Sequence, residues 1–112
     1  MSYKLLLSLV LLILSSLILL AENTLEVKIK TSTQCEQCKD RIEKALNKSK
    51  GVISSDLDLE TKEVTVVYDS ELIDSEKINT IISKTGYDAD DVPANKKAYN
   101  KLPKCCKKDG HD

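Results

Sequence analysis

The sequence predicts an α+β fold in the order β-α-β-β-α-β, a four-stranded antiparallel sheet covered on one face by two helices. Three observations predict it. Residues 24–31, TLEVKIKT, alternate apolar and polar in the manner of a half-buried strand. Two later segments, one from Cys38 and one from Ser75, change to helical spacing. Two strand-like runs lie between those segments, and a short one follows the second.

In the first strand Leu25, Val27 and Ile29 face one way, with Glu26, Lys28 and Lys30 opposite. Cys38, Ile42, Ala45 and Leu46 form the stripe of the first helix, and Lys39, Arg41, Glu43 and Lys44 are polar. Gly51 follows, where a helix end favours a residue able to take positive φ. The second strand is predicted from Val52 to Leu59, with Leu57 and Leu59 on one face, and residues 60–62 turn the chain. Residues 63–69 are the third strand, with Val64, Val66 and Tyr68 inward. Asp74 or Ser75 caps a helix with the stripe Ile78, Ile81 and Ile82, which Gly86 stops. Residues 87–92, YDADDV, are predicted as a last edge strand, and Pro93 ends the domain. This is the ferredoxin-like order.

Length and charge set the frame. The chain has 112 residues, enough for one small domain with extensions. It has no Trp and no Phe, so an aliphatic core is expected. Its formal net charge of −1 gives no sign of nucleic-acid binding. The charge is unevenly spread. Residues 24–92 carry 10 basic and 15 acidic side chains, whereas residues 93–112 carry 6 lysines and 2 aspartates. A basic tail follows an acidic body.

Residues 1–21 are set apart from the fold. Lys4 precedes an apolar run from Leu5 to Leu20, broken by Ser8, Ser15 and Ser16. This is the pattern of a secretory signal peptide. With Ala21 at the cleavage position, Leu19 would fill a place that favours small residues. An uncleaved membrane anchor is the alternative. Both readings export the remainder, and only the anchor gives membrane contact.

The chemistry begins with CEQC. Cys35 falls in the turn before the first helix and Cys38 in or near its first turn. A helix N-terminus presents unsatisfied N–H groups and partial positive charge, which favour thiolate over thiol. Thiolates two residues apart can converge on one soft ion: Cu(I), Hg(II) or, with added ligands, Zn(II) or Cd(II). Three other readings compete: two ordinary buried cysteines, a disulfide suited to an oxidising compartment, and a thiol-disulfide oxidoreductase. For the last, this sequence lacks the Trp-Cys-Gly-Pro-Cys setting, and its predicted strand order differs.

Residues 24–92 resemble the heavy-metal-associated domain of soluble copper chaperones, metal-pumping ATPases and the periplasmic mercury-binding protein. The resemblance rests on CEQC, Gly51-Val52, DLETKEVTVVYD at 58–69 and TGYDA at 85–89, within about 69 of the 112 residues. It implies that Cys35 and Cys38 are metal ligands. It also implies that Tyr87 occupies the aromatic position near the metal loop, although a Tyr at a strand start is by itself more often plain packing. The family loop usually reads Gly-Met-Thr-Cys-x-x-Cys, whereas Ser32, Thr33 and Gln34 precede Cys35 here. The family Met props the loop against the core. Thr33 is shorter and polar, so a looser loop is expected. Glu36 and Asp40 read as a solvated helix face, with Glu36 an optional hard ligand.

The domain limits are therefore 1–21 for the signal or anchor, 24–92 for the metal domain and 93–112 for a Lys/Cys-rich, mostly flexible tail. Residues 94–102 are expected to form one or two turns, with Ala98 and Leu102 on one side. Cys105, Cys106 and His111 are candidate auxiliary metal ligands that the resemblance does not cover. Adjacent cysteines rarely bridge each other because the ring is strained. The tail is thus a second thiol site, a lid on the first, or a disulfide partner for Cys35 and Cys38.

The expected function is non-enzymatic: an exported, monomeric protein that holds a soft ion, Cu(I) foremost, and passes it on by thiolate exchange. The partner would be a metal-transporting membrane protein or another metal-binding domain. The place would be the periplasm or the outer face of the inner membrane. A metal scavenger without a specific partner is the remaining alternative.

Overall fold

The computed structural model describes residues 23–108. The apolar run of residues 1–21 and His111 lie outside the described residues, and so does any account of their structure. Three strands form one sheet: β1 (Thr24–Lys30), β2 (Val52–Leu57) and β3 (Glu63–Asp69). Their order is β1-β3-β2, all antiparallel, with Val27 opposite Val66 and Leu57 opposite Val64. Two helices, α1 (Glu36–Asn47) and α2 (Ser75–Thr85), complete the domain.

The period-two pattern of β3 decides which sheet face is covered. Val64, Val66 and Tyr68 are buried while Glu63, Thr65, Val67 and Asp69 are half-buried. Against that face α1 buries Cys38, Ile42 and Leu46, spaced four residues apart, and α2 buries Ile78 and Ile82. The Glu43 carboxylate accepts the Leu57 backbone N–H at 2.8 Å, fastening α1 to the β2 edge. The core is not wholly aliphatic: Tyr87, fully buried, is among its largest side chains.

The predicted fourth strand is reduced to single bridges, Thr31 with Ala89 and Ala89 with Val92. The reason is local. Asp90 takes a left-handed φ of 51°, and Ala89 and Val92 exchange both backbone hydrogen bonds at 2.9 Å. This tight turn reverses the chain after Ala89, before a strand can extend. Asp90 nevertheless covers the end of β1, donating its N–H to the Lys30 carbonyl and accepting the Lys30 N–H. The second strand also ends early, at Leu57. The Asp58 carboxylate accepts the Glu60 N–H at 2.8 Å and draws the chain into its turn, which leaves Leu59 exposed.

After Pro93 the chain has defined structure through residue 108. Asn95 caps a short helix, α3 (Lys96–Asn100), by accepting the Ala98 N–H. Ser83 ties this segment to α2: its hydroxyl donates to the Pro93 carbonyl at 2.7 Å, and its carbonyl accepts the Asn95 N–H. Leu102 is buried beside Gly86, and a 3-10 turn follows at Lys104–Cys106. A composition that reads as mostly flexible therefore hides two anchors, Leu102 and Cys106, among its lysines. Among the described residues, no helix is long and apolar enough to cross a membrane.

Candidate metal centre

Cys35 is the N-cap of α1, in extended conformation, and Cys38 lies in the first helical turn. The Cys35 carbonyl accepts the N–H groups of Cys38 and Lys39, which starts the helix. Cys35 is half-buried and Cys38 fully buried. Their sulfurs are 3.2 Å apart. Both are free thiols, as are Cys105 and Cys106.

The preceding loop is fastened by hydroxyl groups. Thr31 Oγ1 donates to the Lys62 carbonyl at 2.8 Å, so its lone pairs remain to accept from Thr33 Oγ1. Thr33 is buried, with 1% of its surface exposed. The looser loop expected from a Thr in place of Met is not what the structure has. A polar chain from Thr33 to Thr31 to β3's entry takes over the anchoring. Ser32 adds a second tie by accepting the Asp88 N–H at 2.9 Å.

The 3-10 turn brings the tail cysteines to this loop. Cys35 Sγ lies 3.6 Å from Cys105 Sγ and 3.7 Å from Cys106 Sγ, and these two are 3.9 Å apart. All three sulfurs fall within 4.8 Å of one another. Cys105 also reaches Gln37 Oε1 at 3.3 Å. Glu36 and Asp40 are exposed, in keeping with a solvated helix face.

Electrostatics single out Cys35. Burial acts to raise its pKa, but hydrogen bonds with the Cys38 side chain and backbone N–H, and with Cys105 and Cys106, outweigh it and lower the pKa to about 7. Burial, and then the neighbouring Cys38, pushes Cys106 far above the ordinary thiol range. Cys105 is raised too, first by its hydrogen bond to Cys35. Within the cluster the thiolate form is favoured at Cys35 over Cys105 and Cys106.

Tyr87 packs beneath this cluster. Its hydroxyl is buried and has no hydrogen-bond partner among the described residues. Burial, then the Cys106 and Cys38 sulfurs facing it, drives its pKa well above the tyrosine range, so it stays a protonated donor. What sequence reasoning missed was Asp88, which links loop to tail. Its carboxylate accepts the Ala94 N–H at 2.9 Å and pairs with Lys108 Nζ at 2.6 Å. Lys108 N–H in turn donates to the Tyr99 hydroxyl. The opposed charges of body and tail were the available signal.

The folded domain is similar to known proteins. The chain is 44% identical over 69 residues to a copper-exporting P-type ATPase of Staphylococcus aureus strain Newman. That match covers 62% of this chain but 8% of the ATPase, so the chain spans a small part of such relatives. Among solved structures, the CopZ metallochaperone superposes with a TM-score of 0.56 at 32% identity, over 58% of this chain and 98% of CopZ. Oxidised MerP from Ralstonia metallidurans CH34 gives 0.57 at 25% identity, over 59% of this chain and 93% of MerP. Residues 30–88 match the model of the heavy-metal-associated domain, and the chain belongs to that family.

Proposed function

We propose that this protein holds a soft metal ion, Cu(I) foremost, between Cys35 and Cys38 and passes it to another metal-binding domain. The observation that carries the reading is the convergence of these two sulfurs at the start of α1, with Cys35 at its N-cap and Cys38 in its first turn. Thiolates are soft ligands, which favours Cu(I) and leaves Hg(II), Zn(II) and Cd(II) as alternatives. The likeness to the CopZ metallochaperone and to part of a copper-exporting ATPase supports copper as cargo.

Transfer would proceed by ligand exchange. An incoming thiolate donates an electron pair to the ion, a three-coordinate intermediate forms, and one cysteine of this chain leaves with its pair. No oxidant is needed and the protein is not an enzyme in this reading. The acceptor would be a domain of a metal-transporting membrane protein, met by the chain as a monomer. The acidic body supports docking to a basic surface. The apolar run at residues 5–20 supports export to the periplasm or the outer membrane face. Within the ferredoxin-like scheme, the Thr31–Ala89 bridge stands where a fourth strand would run.

The test is a Cu(I) competition assay on the full reduced chain and its Cys35→Ser/Cys38→Ser variant. The variant should lose Cu(I) at least a hundredfold more readily. Equal affinity would overturn the reading. Metal-loaded mass spectrometry with Cu(I), Hg(II), Zn(II) and Cd(II) in turn would rank the cargo.

A further inference from the structure

We infer that the tail is a built-in lid whose Cys105 and Cys106 join Cys35 in a closed, three-thiolate metal site. The inference rests on the reading of the Cys35–Cys38 loop as metal-binding, and it adds the coordination and regulation of that site.

The sulfur geometry carries the argument. Cys35, Cys105 and Cys106 form a triangle with sides of 3.6, 3.7 and 3.9 Å. The centre of such a triangle lies about 2.2 Å from each corner, close to a metal–thiolate bond of about 2.3 Å. An ion at bonding distance from all three would sit just out of their plane. A two-coordinate ion, by contrast, needs its sulfurs on opposite sides, roughly 4.6 Å apart at that bond length. The Cys35–Cys38 separation of 3.2 Å is well short of that. The three-sulfur face is already sized for an ion, whereas the pair must spread to take one linearly.

Tyr87 supplies a second, independent observation. A buried hydroxyl without an acceptor is costly. This one faces Cys38 and Cys106. Cysteine sulfur is a weak acceptor, so this O–H is an unpartnered polar group buried against the sulfur cluster.

The lid has its own attachments. Leu102 is buried beside Gly86, Lys108 pairs with Asp88, and the Lys108 N–H bonds to Tyr99. Asp88 donates its backbone N–H to Ser32 of the metal loop, so lid and loop share one residue. Tethering gives the lid sulfurs a high effective concentration at the ion. Closed, the site holds its cargo with three sulfurs. When the lid lifts, Cys35 and Cys38 are left to hand the ion on.

X-ray absorption on the full reduced chain with one equivalent of Cu(I) tests this. Three or more sulfur neighbours are expected in the full chain, and two in Cys105→Ser/Cys106→Ser, with Cu(I) affinity lowered at least tenfold. Two neighbours in the full chain, or an unchanged count in the variant, would overturn the lid. Cys105→Ser alone alters only a half-buried thiol and guards against misfolding of the double variant. It should also lower the count, and an unchanged count overturns the lid. The Cys35→Ser/Cys38→Ser variant separates the two ideas. If it keeps Cu(I) affinity, the loop reading fails. If it loses affinity while the tail variants do not, the lid alone fails.

Discussion

The sulfurs of Cys35 and Cys106 lie 3.7 Å apart although 71 positions separate them in the chain. Contact at that range requires the segment after α2 to fold back across the metal loop. It does so through two buried side chains, Leu102 and Cys106, and through the Asp88–Lys108 pair.

The thiols should therefore differ sharply in reactivity. Cys35 is half-buried with a pKa of about 7, while Cys106 is buried with its pKa raised. Alkylation depends on the thiolate. In the reduced, metal-free protein, Cys35 labelling should rise with pH through a midpoint near 7. Cys106 should label at least tenfold more slowly at neutral pH. Peptide mapping after brief iodoacetamide treatment reads both. Equal labelling of the two would show that the cluster is not formed.

Much of this was legible in the sequence, for physical reasons that can be named. Burial in β3 alternates because one face is covered and the other is not, and apart from Val67 the sequence follows it, so Val64, Val66 and Tyr68 were readable as core. Asp74 and Gly86 bound α2 because a cap and a left-handed residue are local requirements. The reduction of the fourth strand to isolated bridges was not legible, because it depends on one residue, Asp90, adopting positive φ. The tail was harder still. Its lysines dominate the composition, while its attachment depends on Leu102 and Cys106 meeting partners far away in sequence.

Thr33 gives a direct test of the loop's anchoring. Its hydroxyl bonds to Thr31 inside the protein. Thr33→Val keeps the shape and removes that bond, which should cost about 1 kcal/mol. Thr33→Met restores the residue usual in the family but inserts a longer side chain into a filled site, at a cost of about 1–3 kcal/mol. Both should lower Tm in thermal melts, by about 4–8 °C per kcal/mol. A Thr33→Met variant more stable than the parent would show that the hydroxyl chain contributes little.

The tail attachment should weaken in acid. Lys108, through its hydrogen bond, holds the Asp88 carboxyl below its ordinary 3.8, and the Ala94 N–H lowers it further. A depressed carboxylate stabilises the fold above its unfolded pKa, and that contribution is lost as pH falls through the folded value. No change from this pair is expected between pH 7 and 5. Lys108 is 53% exposed, so solvent screening keeps its contribution below about 1 kcal/mol. In an NMR titration, Lys108→Met should move the Asp88 midpoint up toward 3.8. An identical midpoint in both proteins would mean that the pair does not form in solution.

Gly86 couples the end of α2 to the lid. It has φ of +109°, a region that side chains rarely adopt, and it caps the helix. A Cβ there would lie 3.1 Å from the Ala98 carbonyl carbon and 3.2 Å from Leu102 Cδ1. Gly86→Ala should therefore strain the backbone by roughly 1–3 kcal/mol and push α3 and Leu102 outward. Gly51 is the control. Its φ is +100°, and a Cβ there would meet Ile73 Cγ2 at 2.8 Å, in a different contact from the lid. Gly51→Ala should lower Tm by a similar amount yet leave Cys106 protected. Gly86→Ala should both lower Tm and speed native-state labelling of Cys106 several-fold. If Cys106 is equally protected in the two variants, the lid does not depend on the α2 terminus, and its attachment rests on Asp88 and Tyr99.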